Sequence, residues 1–121
     1  METNLLKIAE NFSRHIFEET YPSFSDNIEW HLIGDKTLIS KKDIIETCNQ
    51  SAQYLINVTT NFIYFKIIAD HNTVVIDSLA DYIDNEQKSS RIASCDIYHF
   101  SDNKLVKIKS YVFEIKNQIE K

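Results

Sequence analysis

The segment SCDIYHFSDNKLVKIKSYVF, residues 94–113, constrains the fold more than any other stretch. Residues 92–100 and 105–115 are rich in β-branched and aromatic side chains, the composition of strands. Between them Ser101-Asp102-Asn103 supplies turn chemistry, because Asp and Asn hydrogen-bond their own backbone and tolerate positive φ. The segment therefore reads as a hairpin. Side chains alternate across a strand, so Ser94, Asp96, Tyr98 and Phe100 share one face. Ala93, Cys95, Ile97 and His99 share the other. An ionised carboxylate is costly to bury without partners. Asp96 must sit at a wet edge, accept hydrogen bonds, or keep its proton in a pocket.

The remaining chain supplies two helices and more strand. A helix is expected over residues 3–20, with Leu5, Ile8, Ala9, Phe12 and Ile16 as its apolar stripe and Pro22 stopping it. Residues 23–27 read as a polar connection and 28–33 as a short strand ended at Gly34-Asp35-Lys36. Ser40 with Asp43 approximates a cap for a second helix over 41–56, whose stripe is Ile44, Ile45, Cys48, Ala52 and Leu55. Strands follow over 62–70, 73–83, 90–100 and 104–115, with fraying expected from residue 117 onward. No β-α-β alternation is present, so the class is α+β, in one domain spanning residues 1–121.

Composition excludes several functions. A net charge of −5 with scattered basic residues argues against nucleic acid as a partner. No apolar run approaches the roughly 18 residues of a membrane span. Two cysteines, Cys48 and Cys95, and no secretion signal point to reduced thiols in the cytoplasm. The single glycine, Gly34, rules out glycine-rich nucleotide loops. His15, His31, His71 and His99 show no metal-ligand spacing. Cys95 and His99 share a strand face, but about 13 Å separates them, so no metal and no cofactor is expected.

The run Cys95-Asp96-Ile97-Tyr98-His99-Phe100, a polar turn, and Lys104 to Tyr111 resembles the last hairpin of nuclear transport factor 2-like proteins. That superfamily includes the ketosteroid isomerases and the SnoaL-like polyketide cyclases. The resemblance covers most of the chain in element order, with Asn103 standing where many relatives carry glycine. It implies a curved antiparallel sheet forming a cone around the N-terminal helices, with a ligand pocket inside. In the isomerases an aspartate matching Asp96 lines the steroid pocket and donates a hydrogen bond to the developing oxyanion. Their catalytic base falls near Trp30 and His31, neither of which is a carboxylate. Their helix tyrosine is absent from the stripe here, so steroid isomerisation is disfavoured.

The candidate catalytic residues are Asp96 and His31, the latter because its unperturbed pKa lies near neutrality. The candidate ligand-binding residues are Trp30, Asp77, Tyr98, Ser94 and Ser110. Asp77 depends on register. A hairpin centred between Asn85 and Glu86 pairs Asp77 with Ser94 and Val75 with Asp96, on one face. A slip of one residue moves Asp77 to the other. For Asp96 the alternative to pocket lining is a structural acid bonded to backbone amides or Trp30.

Three functions compete. The chain is a pocket enzyme of the isomerase, cyclase or hydrolase type, a non-catalytic binder of an unknown small apolar or carbonyl-containing molecule, or an association domain. A homodimer is expected through the outer sheet face, where Ala93, Cys95 and Ile97 are joined by Val74 and Ile76.

Overall fold

The computed structural model describes residues 3–116, so the fraying expected beyond residue 116 lies outside the described residues. The chain runs α1 (Thr3–Ser13), a 3-10 helix (Glu18–Ser23), β1 (Phe24–Leu32), β2 (Lys36–Leu38), α2 (Lys41–Leu55), β3 (Thr59–Asp70), β4 (Thr73–Ile83), β5 (Ser89–Ser101) and β6 (Lys104–Glu114). One sheet has the order β2-β1-β6-β5-β4-β3. β3 to β6 form the expected antiparallel meander. β1 pairs β2 antiparallel but β6 parallel, which corrects the wholly antiparallel expectation. A parallel pair needs a long crossover, and α2 with four strands, β2 to β5, provides one. Register irregularities between Phe24 and Glu29, Phe62 and Tyr64, and His99 and Phe100 bend the strands. The result is the α+β class expected: a curved, unclosed sheet with the helices in its concave side.

α1 is shorter than its stripe suggested. The His15 N–H donates to the Phe12 carbonyl at 3.0 Å and the Ile16 N–H to the Asn11 carbonyl at 2.8 Å. This crossed pair ends a helix around one left-handed residue, here His15 at φ 68°. Leu5, Ile8, Ala9 and Phe12 are buried as expected, but Ile16 is 47% exposed and Phe17 takes its place in the core. Pro22 lies within the 3-10 helix and stops nothing. Residues 24–27, read as a connection, open β1: Phe24 is buried and pairs with Leu105. Past the turn at Gly34, Lys36–Leu38 adds a short edge strand where only a turn ending at Lys36 was expected.

α2 is capped as expected, with Ser40 Oγ accepting from the Asp43 amide at 3.0 Å. Ile44 and Cys48 are fully buried. The stripe stops there: Ala52 is exposed, while Thr47, Gln50, Ser51 and Leu55 face open space. The polar second half of the helix thus roofs a cavity instead of filling it.

The β4–β5 register corrects the placement of Asp77. The observed pairs are Asp77 with Cys95, Ile76 with Asp96 and Ser78 with Ser94. The Asp84 amide donates to the Lys88 carbonyl and the Gln87 amide to the Asp84 carbonyl, both at 3.0 Å, with Gln87 at φ 66°. That is a three-residue loop ending in a left-handed residue. The Asp84 carboxylate secures it, accepting from the Glu86 and Lys88 amides at 2.9 Å each. An odd loop centres the hairpin on Glu86, so the pairing slips by one residue and Asp77 turns outward. Val74 and Ile76, expected outside, are fully buried. Val75 and Leu79 take the outer face with Ala93, Cys95 and Ile97. No helix among the described residues is long and apolar enough to cross a membrane.

Candidate functional site

The concave face of the sheet, the end of α1 and the second half of α2 enclose a cavity of about 660 Å³. That volume suits a small organic molecule. Its walls are mainly apolar, with Phe12, Phe17, Leu32, Val58 and Ile92 prominent. Asp96 on β5 opens into it, between Ile76 on β4 and Ser110 on β6.

The Asp96 carboxyl is held by side chains. Ser13 Oγ donates to its Oδ2 at 2.8 Å. Ser13 also hydrogen-bonds the hydroxyl of Tyr98. With the Ser13 hydrogen on Asp96, the Tyr98 hydroxyl is the donor in that second bond. From the other side, Trp30 Nε1–H donates to Ser110 Oγ at 2.9 Å, and Ser110 lies against the carboxyl. Burial pushes the Asp96 pKa above the usual carboxylate value, and the hydroxyls of Ser110, Ser13 and Tyr98 partly offset it. The side chain is accessible only because the cavity reaches it. Tyr98 is fully buried, and burial together with the neighbouring Asp96 raises its pKa well above the ordinary phenol range. It remains a neutral donor.

The proposed site residues therefore separate. Asp96, Trp30, Ser94 and Ser110 come together on the cavity wall. Tyr98 shares their face but lies behind Asp96, in the core, because Ser13 and Phe12 cover it. Asp77 is on the outer face, where the Tyr64 hydroxyl donates to its Oδ1 at 3.2 Å. His31 also points outward, since Trp30 takes the inner position of that strand. Its Nε2 is 2.8 Å from Glu29 Oε1 and its Nδ1 3.4 Å from Thr37 Oγ1.

Sequence reasoning missed Ser13, His15, Ser78 and Tyr82, all on the cavity wall. His15 Nε2 lies 2.7 Å from the Tyr82 hydroxyl. Burial lowers the His15 pKa to about 4, so its imidazole is neutral at neutral pH. Tyr82 and Ser78 were legible in principle: counting onward in twos from Ile76 with the correct register puts both on the Asp96 face. His15 was not, because no helix periodicity reaches a residue beyond the cap. Cys48 is closed off in the core, and burial pushes its thiol up to about 12.

No family model and no curated protein matches the sequence. Solved structures do. An NTF2-like protein of unknown function from Cytophaga hutchinsonii is 33% identical, with a TM-score of 0.83 over 93% of this chain and 99% of that one. An LEH-like epoxide hydrolase from M. tuberculosis is 14% identical, with a TM-score of 0.66 over 92% of this chain and 84% of its own. A protein from Xanthomonas campestris assigned as a polyketide cyclase is 10% identical, with a TM-score of 0.71 over 90% and 87%. The last two share the fold alone. The first aligns along nearly its whole length at substantial identity, and on that ground this chain belongs to the nuclear transport factor 2-like (NTF2-like) family.

Proposed function

We propose that the chain binds a small, largely apolar molecule in the cavity and that Asp96 orients a carbonyl oxygen of it. One observation carries the reading: Asp96 opens on an apolar cavity and is held by hydroxyls, not locked to backbone amides. A carboxyl whose burial favours the protonated form can donate a hydrogen bond as well as accept one. Donation to a carbonyl strengthens as negative charge develops on that oxygen, which is how an enolate-like transition state is stabilised. Proton transfer of the isomerase, cyclase or hydrolase type follows from such a group. The fold shared with a polyketide cyclase and an epoxide hydrolase supports an enzymatic use of the cavity. The same cavity without turnover is a ligand-binding module. A cytoplasmic setting fits the two free thiols, Cys48 and Cys95.

Trp30, the sole tryptophan, lines the cavity and reports on occupancy. Titration of its fluorescence with 2-acetylnaphthalene should saturate. Asp96→Leu, which keeps the size but removes the donor, should weaken binding about five-fold. Equal affinity in Asp96→Leu would remove Asp96 from the reading.

A second reading concerns association. Val75, Leu79, Ala93, Cys95, Ile97 and Tyr111 are only half-buried on the outer sheet face. A second copy packed there as a symmetric homodimer would cover them.

A further inference from the structure

We propose that His15 and Tyr82 form a second polar binding point in the cavity, and that the ligand is therefore an uncharged molecule with two oxygen functions. One oxygen meets Asp96; a hydroxyl or second carbonyl meets the His15–Tyr82 pair. The inference rests on the cavity reading above and extends it to the class of ligand.

The end of α1 is built to place two side chains in one cavity. Within a helix, residues two apart point about 200° away from each other, so Ser13 and His15 could not share a wall. The left-handed backbone at His15 reverses the chain after Ser13. Ser13 then reaches Asp96 while His15 reaches Tyr82, and both line the cavity. Glycine takes that backbone without strain, whereas a bulkier residue there is disfavoured. A costly residue held at a cavity wall points to function.

The chemistry of the pair fits a neutral oxygen. Nε2 of His15 is engaged with Tyr82, and the other ring nitrogen has no partner among the described residues. No buried side-chain nitrogen or oxygen among them lacks a partner, so that second nitrogen is accessible. The imidazole is uncharged at neutral pH. With one nitrogen protonated and the other bare, the ring offers either a donor or an acceptor according to tautomer. A hydroxyl or a carbonyl can be met in this way.

Among the described residues the cavity wall offers an anion one cation, the exposed Lys88. The charged residues on its wall are Asp84, Lys88 and Asp96. Asp84 is committed to backbone amides and Lys88 is exposed at the rim. Arg14, next to His15, faces away: its guanidinium lies 4.0 Å from the Phe65 ring centre and bonds Glu10 at 3.2 Å. A carboxylate drawn inside would lose water without gaining a cation.

Three probes test this on the full-length protein: 2-acetylnaphthalene, its 6-hydroxy derivative and its 6-carboxylate. The hydroxy derivative should bind about five-fold tighter than the parent, and the carboxylate more weakly than either. His15→Gly and Tyr82→Phe should each abolish the preference for the hydroxyl, so that in either variant the hydroxy derivative binds no tighter than the parent. His15→Gly relieves the left-handed strain, so its melting temperature shows that the fold survives. A hydroxyl preference that persists in both variants overturns the inference, as does tightest binding of the carboxylate. Parent binding that needs Asp96 but shows no hydroxyl preference overturns this inference and leaves the cavity reading standing. Failure of all three probes to bind overturns both.

Discussion

Ser13→Ala removes two hydrogen bonds at once. Ser13 donates to Asp96 at 2.8 Å and bonds the Tyr98 hydroxyl, which is fully buried. A bond to an ionised carboxylate contributes about 1.5–3 kcal/mol, and a buried hydroxyl left without a partner costs about 1–3 kcal/mol. Alanine recovers about 0.5 kcal/mol of helix propensity. The expected loss with Asp96 ionised is about 3 kcal/mol, a fall in Tm of about 10 °C for a chain of this size. The loss depends on pH. Because burial raises the Asp96 pKa, the folded state holds that proton after the unfolded chain has released it. Stability therefore falls as pH rises from the unfolded value through the folded one. Ser13 opposes part of this penalty by stabilising the carboxylate, so removing it widens the gap on the alkaline side. Urea unfolding should give a cost about 1–1.5 kcal/mol smaller at acid pH, with Asp96 protonated, than at alkaline pH, with Asp96 ionised. An equal cost at both would refute the donation from Ser13 to an ionised Asp96.

His15 is expected to stay neutral down to about pH 4, as imidazole NMR shifts would show. Its folded pKa is depressed, so stability is full above the unfolded value and is lost as pH falls through about 6.5 to 4, by up to about 3 kcal/mol. His15→Gln should flatten that acid limb of the stability curve. Gln87→Gly, at a left-handed position, should stabilise by about 0.5–1 kcal/mol in urea melts. Ile76→Ala, at a fully buried site, should cost about 2–5 kcal/mol. Leu79→Lys on the outer face should give a monomer in sedimentation at tens of micromolar while cavity binding is unchanged; wild type already monomeric there would refute the homodimer.

Strand alternation placed Ser94, Asp96 and Tyr98 on one face without help from the structure, because parity within a strand survives any error in its ends. Parity between strands does not. The Asp77 assignment hung on whether the loop before Lys88 was even or odd, and the left-handed residue that makes it odd is Gln87, with no glycine to mark it. The same scarcity hid the end of α1, where His15 stands in a position usually taken by glycine. Trp30, a candidate for ligand binding, is part of the core and lines the cavity, with His31 turned outward by the same alternation that turns Trp30 inward. The parallel contact of β1 with β6 had no local signature, since it joins segments far apart in the chain.

That contact also sets the order of events in synthesis. Phe24, Ile28 and Trp30 belong to β1, whose inner neighbour in the sheet is β6, the last of the described strands in chain order. Paired residues of the two strands lie about eighty positions apart, so at ordinary translation rates each residue of β1 leaves the ribosome roughly 4–16 s before its partner. Through that interval the edge of β1 that β6 will cover is unpaired. Closure then brings together segments far apart in the chain, a slow step by loop entropy. Nascent chains truncated before β6 should therefore be the protease-sensitive, chaperone-bound species, and the cavity should come into being only with the final hairpin.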